Sequence, residues 1–213
     1  MSLKIYFLRH GETSSSQTGG FCGELDQELT AIGQQMAKAF ADTYKSMEWK
    51  AVFVSPMKRT IATAKPICDA IGQEMQLREG LKEMNFGQWE GKTKEQVRQE
   101  YLEDYINWLT EPAWNPPTGG GETATEVASR ASLVMAEIQQ NYPDGNVLVV
   151  AHKSTIRIVL CSLLGLDLGR YRDRIDMPVS SVSIVELDVN GPLLKVLCDR
   201  YHLPEDLRNL PGT

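Results

Sequence analysis

Arg9 and His10 directly follow the apolar run Leu3-Lys4-Ile5-Tyr6-Phe7-Leu8, and Gly11 comes next. In an open α/β sheet, ligands bind just beyond the carboxyl ends of the strands, so the pair stands where a site belongs. Arginine grips phosphate oxygens through a planar fork of N–H donors. A neutral imidazole can attack phosphorus or hold a proton near pH 7. Glycine at the third position would let backbone approach a ligand closely. These residue types in this order point to phosphoryl chemistry.

The pattern has an echo near the other end of the chain. Val147-Leu148-Val149-Val150-Ala151 reads as a second buried strand, and it ends at His152, followed by Lys153-Ser154. A single strand-end histidine is more often a packed structural residue than a catalyst. Two in matching positions, one behind an arginine, favour chemistry. The third histidine, His202, has no partner group near it in sequence and reads as structural or exposed.

These residues need a framework. Strands are expected near 3–8, 51–54, 74–78, 146–151, 181–188 and 193–200, with Asn190-Gly191 as a hairpin signal between the last two. Leu29, Ile32, Met36, Phe40 and Tyr44 recur at helical spacing behind Thr30, a candidate N-cap, and predict a helix over about 30–47. A second helix follows Ser55-Pro56, with Ile61, Ala64, Cys68 and Ile71 on one face, and Pro66 is expected to kink or divide it. Thr93 opens a short helix. Thr123-Ala124-Thr125-Glu126 is a capping box for a helix to about 140, and Ser154 to Leu164 forms a last helix stopped by Gly165. The alternation predicts an α/β fold, a three-layer sandwich with a mostly parallel central sheet of about six strands and helices on both faces. One stretch, Tyr105 to Gly121, lacks a pattern. Its run Gly119-Gly120-Gly121 lacks P-loop spacing and a following Lys-Ser/Thr, so it reads as a flexible join.

Four segments in this order resemble the histidine phosphatase superfamily, which includes the cofactor-dependent phosphoglycerate mutases. They are Arg9-His10-Gly11, Ser55 to Ala64 around Arg59, Leu81 to Gly91 around Glu83, and Ala151 to Arg157 around His152. The resemblance covers most of the chain as one domain over 1–213, with an irregular insertion around 84–121 that sits over the active site and shapes substrate choice. It implies that His10 is the nucleophile and Glu83 the proton donor, and that Arg9, Arg59 and His152 surround the phosphoryl group. Met84, Phe86 and Trp89 would give Glu83 an apolar setting suited to a general acid. Glu12, Glu79 and Glu90 are rival carboxylates. The expected substrate-binding set is Arg9, Arg59, Ser16, Cys22, Gly23 and Lys153. Ser16 stands where relatives often carry Asn, and Lys153 where they often carry Gly.

The implied function is hydrolysis of small phosphorylated metabolites through a phosphohistidine, with phosphoglycerate mutase as the alternative. The mutase branch carries adjacent arginines after the acid/base segment, and here no Lys or Arg occurs between Arg98 and Arg130. Lys94 does match a mutase substrate-binding lysine in its spacing from Glu83. Without a basic residue between Gln99 and Ser129, and with Trp108, Leu109 and Trp114 present, the leaving-group pocket is expected to be apolar and aromatic. Trp108 and Trp114 could line it or pin the segment.

Bulk properties agree. The 213 residues, 42% hydrophobic and 23% charged, suit a single soluble domain. A net charge of −6 with no basic stripe argues against nucleic acid as a partner. No apolar run approaches a membrane span, and no secretory leader is visible, so no membrane partner and a cytoplasmic location are expected. Cys22, Cys68, Cys161 and Cys198 are scattered, which suits reduced thiols rather than a zinc site. No metal and no other cofactor is expected, and the chain is expected to act as a monomer or homodimer on a small phosphorylated metabolite.

Overall fold

The computed structural model describes residues 2–210. Its centre is one six-stranded sheet in the order β3-β2-β4-β1-β5-β6. The strands are β1 (Leu3–Arg9), β2 (Trp49–Val54), β3 (Met75–Leu77), β4 (Gly145–Ala151), β5 (Val182–Asp188) and β6 (Gly191–Asp199). The first four run parallel, β5 runs antiparallel to β1, and β6 closes the sheet as a hairpin with β5.

The β1 and β4 sequences are almost unbroken apolar runs because both of their faces are covered. Ile5 and Phe7 pack with Val147 and Val149 on one face. Tyr6 and Leu8 pack with Leu148 and Val150 on the other. Helices α2 (Ala31–Tyr44) and α3 (Lys58–Ile71) cover the second face through Phe40, Ala64 and Ile67. Helices α6 (Ala124–Asn141) and α7 (Lys153–Leu164) cover the first through Val127, Ile138, Ile156 and Leu160. This is the expected α/β sandwich. Thr30, Thr93 and Thr123 all cap helices through their side chains, Thr93 opening α4 (Lys94–Glu100), and Thr93 and Thr123 form reciprocal capping boxes.

The structure departs from the sequence reading in two places. Helix α3 runs through Pro66 as one element, so the proline does not divide it. Burial of Ala64, Ile67 and Cys68 on either side of the proline outweighs the one missing backbone bond. The stretch read as patternless, Tyr105 to Gly121, begins inside α5 (Leu102–Thr110). Tyr101, Tyr105 and Trp108 fall at helical spacing and pack with Phe21 and Trp89, so an aromatic cluster stabilises what the prolines and glycines concealed. The triple glycine lies beyond this helix, where the Thr118 carbonyl accepts from Gln88 N–H at 2.8 Å. A short helix α1 (Ser14–Thr18) follows β1, and α8 (Tyr171–Arg174) and α9 (Glu205–Arg208) complete the set among the described residues. None of the helices is long and apolar enough to cross a membrane among the described residues.

Candidate active site

The β1–β4 register pairs Arg9 with Ala151, so His10 and His152 are each the first residue past two adjacent parallel strands. Their rings lie 5.3 Å apart, centre to centre. Ser55 follows β2 on the same edge, where its N–H bonds the Val150 carbonyl at 3.0 Å. Arg59 enters from the first turn of α3, and Glu83 from the chain after β3. All five of Arg9, His10, Arg59, Glu83 and His152 are buried.

The protonation pattern of His10 follows from its partner. Nδ1 lies 2.7 Å from the Gly11 carbonyl oxygen, which can only accept. The proton is therefore on Nδ1, and Nε2 carries the lone pair. Burial, then the charges of Arg59 and Arg9, hold the imidazolium well below the ordinary histidine range. His10 is thus a neutral base with a bare nitrogen beside two guanidinium groups.

Glu83 meets the start of α7. Its Oε1 accepts from Met84 N–H at 2.9 Å and Thr155 N–H at 3.1 Å, and its Oε2 from Ser154 N–H at 3.1 Å. Thr155 Oγ1 lies 3.2 Å from Oε1, with its one proton directed to the Lys82 carbonyl at 2.6 Å. The apolar setting expected for this carboxyl is therefore accompanied by a polar one at a helix N-terminus. The rivals are engaged elsewhere: Glu12 accepts from Thr30 and Gln17, Glu90 from Gly23 and Phe86, and Glu79 pairs with Lys82.

A cavity of about 390 Å³ opens above this edge, lined by Arg9, His10, Arg59, Glu83, Ser16, Cys22 and Lys153 among others. Three of the residues singled out in the sequence lie off the cavity lining. His152 is wholly buried and lies outside the cavity lining, because both of its ring nitrogens face protein. Arg59 Nε–H donates to Nδ1 at 3.1 Å, and Nε2–H donates to Ser55 Oγ at 2.8 Å. Gly23 is also behind the wall: its carbonyl accepts from Arg59 at 2.9 Å, and a Cβ there would lie 2.0 Å from the Met84 oxygen. Gly11 serves helix packing, since a Cβ there would lie 2.5 Å from the Gly33 carbonyl of α2. Ser16 lines the cavity, yet its hydroxyl also closes the α1 capping box with Thr13.

The cavity wall is also more basic than expected. Phe86, Tyr105, Trp108 and Leu109 do line it. So do Lys94, Arg157 and Arg172, the last two from α7 and α8, outside the segment whose composition suggested an apolar pocket. The Arg172 guanidinium lies 3.9 Å over the Trp108 ring. Lys153 is lowered to about 7, first by burial and then by the charges of Arg9 and Arg157. Trp114, by contrast, is 70% exposed and takes no part. His202 is buried against Phe40, with Ser180 Oγ 3.4 Å from its Nε2, and is structural. Arg157, Arg172 and Ser55 are the site residues that sequence reasoning missed. Ser55 and Arg157 had a signal, since each stands at one end of a segment that carries the resemblance, and Arg172 had none.

A strand-edge cavity with a neutral histidine, two buried arginines and a carboxylate defines a phosphoryl-transfer site. The chain belongs to the histidine phosphatase superfamily (branch 1), whose family model matches residues 5–200. It is 31% identical over 203 residues to phosphoserine phosphatase 1 of Hydrogenobacter thermophilus, covering 95% of each chain. It is 27% identical over 175 residues to glucosyl-3-phosphoglycerate phosphatase of Mycolicibacterium vanbaalenii, covering 79% of this chain and 77% of the relative. Among solved structures it is similar to Bacillus stearothermophilus YhfR, with a TM-score of 0.85, 26% identity and coverage of 94% of this chain and 98% of that one.

Proposed function

We propose that this protein is a phosphomonoesterase that hydrolyses small phosphorylated metabolites through a phosphohistidine at His10. The observation that carries the reading is the bare Nε2 of a neutral, buried His10 in a cavity wall shared with Arg9, Arg59 and Glu83. In the first step, Nε2 attacks phosphorus, the P–O bond to the alcohol breaks, and the carboxyl of Glu83 gives its proton to the departing oxygen. In the second, the Glu83 carboxylate takes a proton from water, the oxygen attacks phosphorus, and the P–N bond breaks. Phosphate leaves and His10 is restored.

Arg9 and Arg59 stabilise the charge on the equatorial oxygens, a task that metal ions perform in other phosphoryl-transfer enzymes. Arg59 is fixed for this work by the Leu25 and Gly23 carbonyls and by His152. His152 is accordingly a positioning residue. Ser16, Cys22 and Lys153 complete the substrate-binding wall, and the segment around 84–121 forms its aromatic side. This reading is independent of metal, and the four free thiols support a reducing, cytoplasmic setting.

The mutase alternative has Lys94 in its favour, since that side chain lines the cavity. Two assays separate the readings. Hydrolysis of p-nitrophenyl phosphate, lost in His10→Ala, with acid-labile, base-stable phosphate trapped on the wild type, supports the phosphatase. Faster interconversion of phosphoglycerates with a bisphosphoglycerate primer than hydrolysis would replace it with the mutase. A wild-type enzyme that turns over without any phosphoenzyme at His10 would overturn the nucleophile assignment.

A further inference from the structure

We propose that the cavity holds a second anion subsite, built from Lys153, Arg157 and Arg172, which selects phosphomonoesters whose leaving alcohol carries its own negative group. The inference rests on the phosphatase reading above and names the substrate class for that site.

Arg157 carries the argument. It stands one helical turn after Lys153 on α7, so the two side chains leave the same face of the helix, and both line the cavity. Its side chain is 10% exposed, and its Nε has no hydrogen-bond partner. Among the described residues its one ion-pair contact is Asp176 at 4.0 Å, and that carboxylate is 92% exposed. A buried charge without a close partner is costly, and an arriving anion removes the cost. Arg172 repeats the pattern from α8: NH1 is buried without a partner, the one ion-pair contact among the described residues is Asp173 at 3.9 Å, and stacking on Trp108 fixes the plane of the fork. Lys153 makes no ion pair within 4.0 Å among the described residues, although it is partly buried.

The charge balance of the wall points the same way. Arg9 and Arg59 are committed to the phosphoryl group by the reading above. Lys94, Arg157 and Arg172 then remain, with Lys153 about half protonated near pH 7, against only Glu83 and Asp173 as acids. A phosphate dianion alone leaves this wall positive, in a chain whose net charge is −6. The excess is therefore local. At about 390 Å³ the cavity lies in the range of small-molecule sites, with room beyond a lone phosphate. A carboxylate and a second phosphate are both anions that a guanidinium fork and an ammonium would hold.

The test is kcat/KM on matched pairs. O-phospho-L-serine and O-phosphoethanolamine differ by a carboxylate; fructose 1,6-bisphosphate and fructose 6-phosphate differ by a phosphate; p-nitrophenyl phosphate reports the chemistry itself. The wild type is expected to favour the more anionic member of at least one pair by about 10–100-fold, the range for hydrogen bonds to a charged group. The pair that responds identifies the anion. Arg157→Gln should cut that preference about tenfold or more, mostly through KM, with a smaller loss on p-nitrophenyl phosphate, and Arg157→Lys should recover part of it. If Arg157→Gln fails to fold, Lys153→Gln on the first turn of α7 reads the same ratio. Turnover of p-nitrophenyl phosphate with no preference in either pair would overturn the subsite and leave the phosphatase reading standing. So would a preference that survives the substitutions. No turnover of any ester would overturn both.

Discussion

Arg59 Nε–H donates to His152 Nδ1 at 3.1 Å, and this bond makes the second strand-end histidine the rear support of a cavity-lining arginine. Ser55 completes the support by accepting from Nε2 at 2.8 Å. The ring is thereby held neutral, in one tautomer, behind the cavity wall. Burial and then the charge of Arg59 keep its imidazolium well below the ordinary histidine range, which preserves the acceptor that Arg59 needs.

That geometry separates two substitutions. Asparagine places an oxygen close to where Nδ1 stands, whereas alanine leaves the buried Nε–H of Arg59 unpaired at about 1–3 kcal/mol. His152→Ala is expected to lower kcat/KM by about 10²–10³-fold, in line with the loss of a preorganised donor. His152→Asn should keep at least tenfold more of the activity. Equal losses in steady-state assays, with both variants folded by circular dichroism, would assign His152 a different role.

Glu83→Gln is expected to slow hydrolysis of alkyl phosphates by about 10²–10⁴-fold, the range for a lost general acid. Loss on p-nitrophenyl phosphate should be smaller, because its leaving group needs little protonation. An amide also has only one accepting end for the Met84 N–H and the Ser154 and Thr155 N–H groups of α7, so a modest fall in Tm should accompany the kinetic change. Equal kinetic losses on both substrates would point to a structural role alone.

The histidines set the acid limit. His10 and His152 are held well below the usual value, and His202 is lowered to about 4, in each case first by burial. A depressed histidine pKa means that the unfolded chain takes up protons before the folded one does. The histidines' contribution to stability is therefore full above about pH 6.5 and falls as pH drops below it. Activity should hold its plateau through pH 6.5 and fall only below it, where His10 takes up the proton that blocks Nε2. Urea melts and kcat/KM profiles between pH 4 and 8 check both limbs. An acid limb centred at or above 6.5 would contradict the buried neutral state of His10.

Activity should survive EDTA with less than about a twofold change, because Arg9 and Arg59 supply the charge that a metal ion would otherwise bring. Loss of turnover on chelation, restored by Mg²⁺ or Zn²⁺, would replace this mechanism with a metal-assisted one.

The sequence by itself determined most of the elements and the candidate reacting groups. Uninterrupted apolar runs encode strands covered on both faces, and threonine caps mark where helices begin. A histidine placed just past such a strand lands on the ligand edge of the sheet whatever the loops do. Local patterns of this kind act over a few residues and are written in consecutive positions. Only the tertiary structure decided how those groups are used. Gly11 is small for α2 rather than for a ligand, a fact that depends on Gly33, far along the chain. The ring nitrogens of His152 meet Arg59 and Ser55 because α3 brings the guanidinium onto it. The pocket composition was misread for the same reason. The segment without basic residues supplies one wall, while Arg157 and Arg172 reach the cavity from helices many tens of residues later. Side-chain direction across packed layers is set by the sum of long-range contacts, and no window along the chain contains that sum.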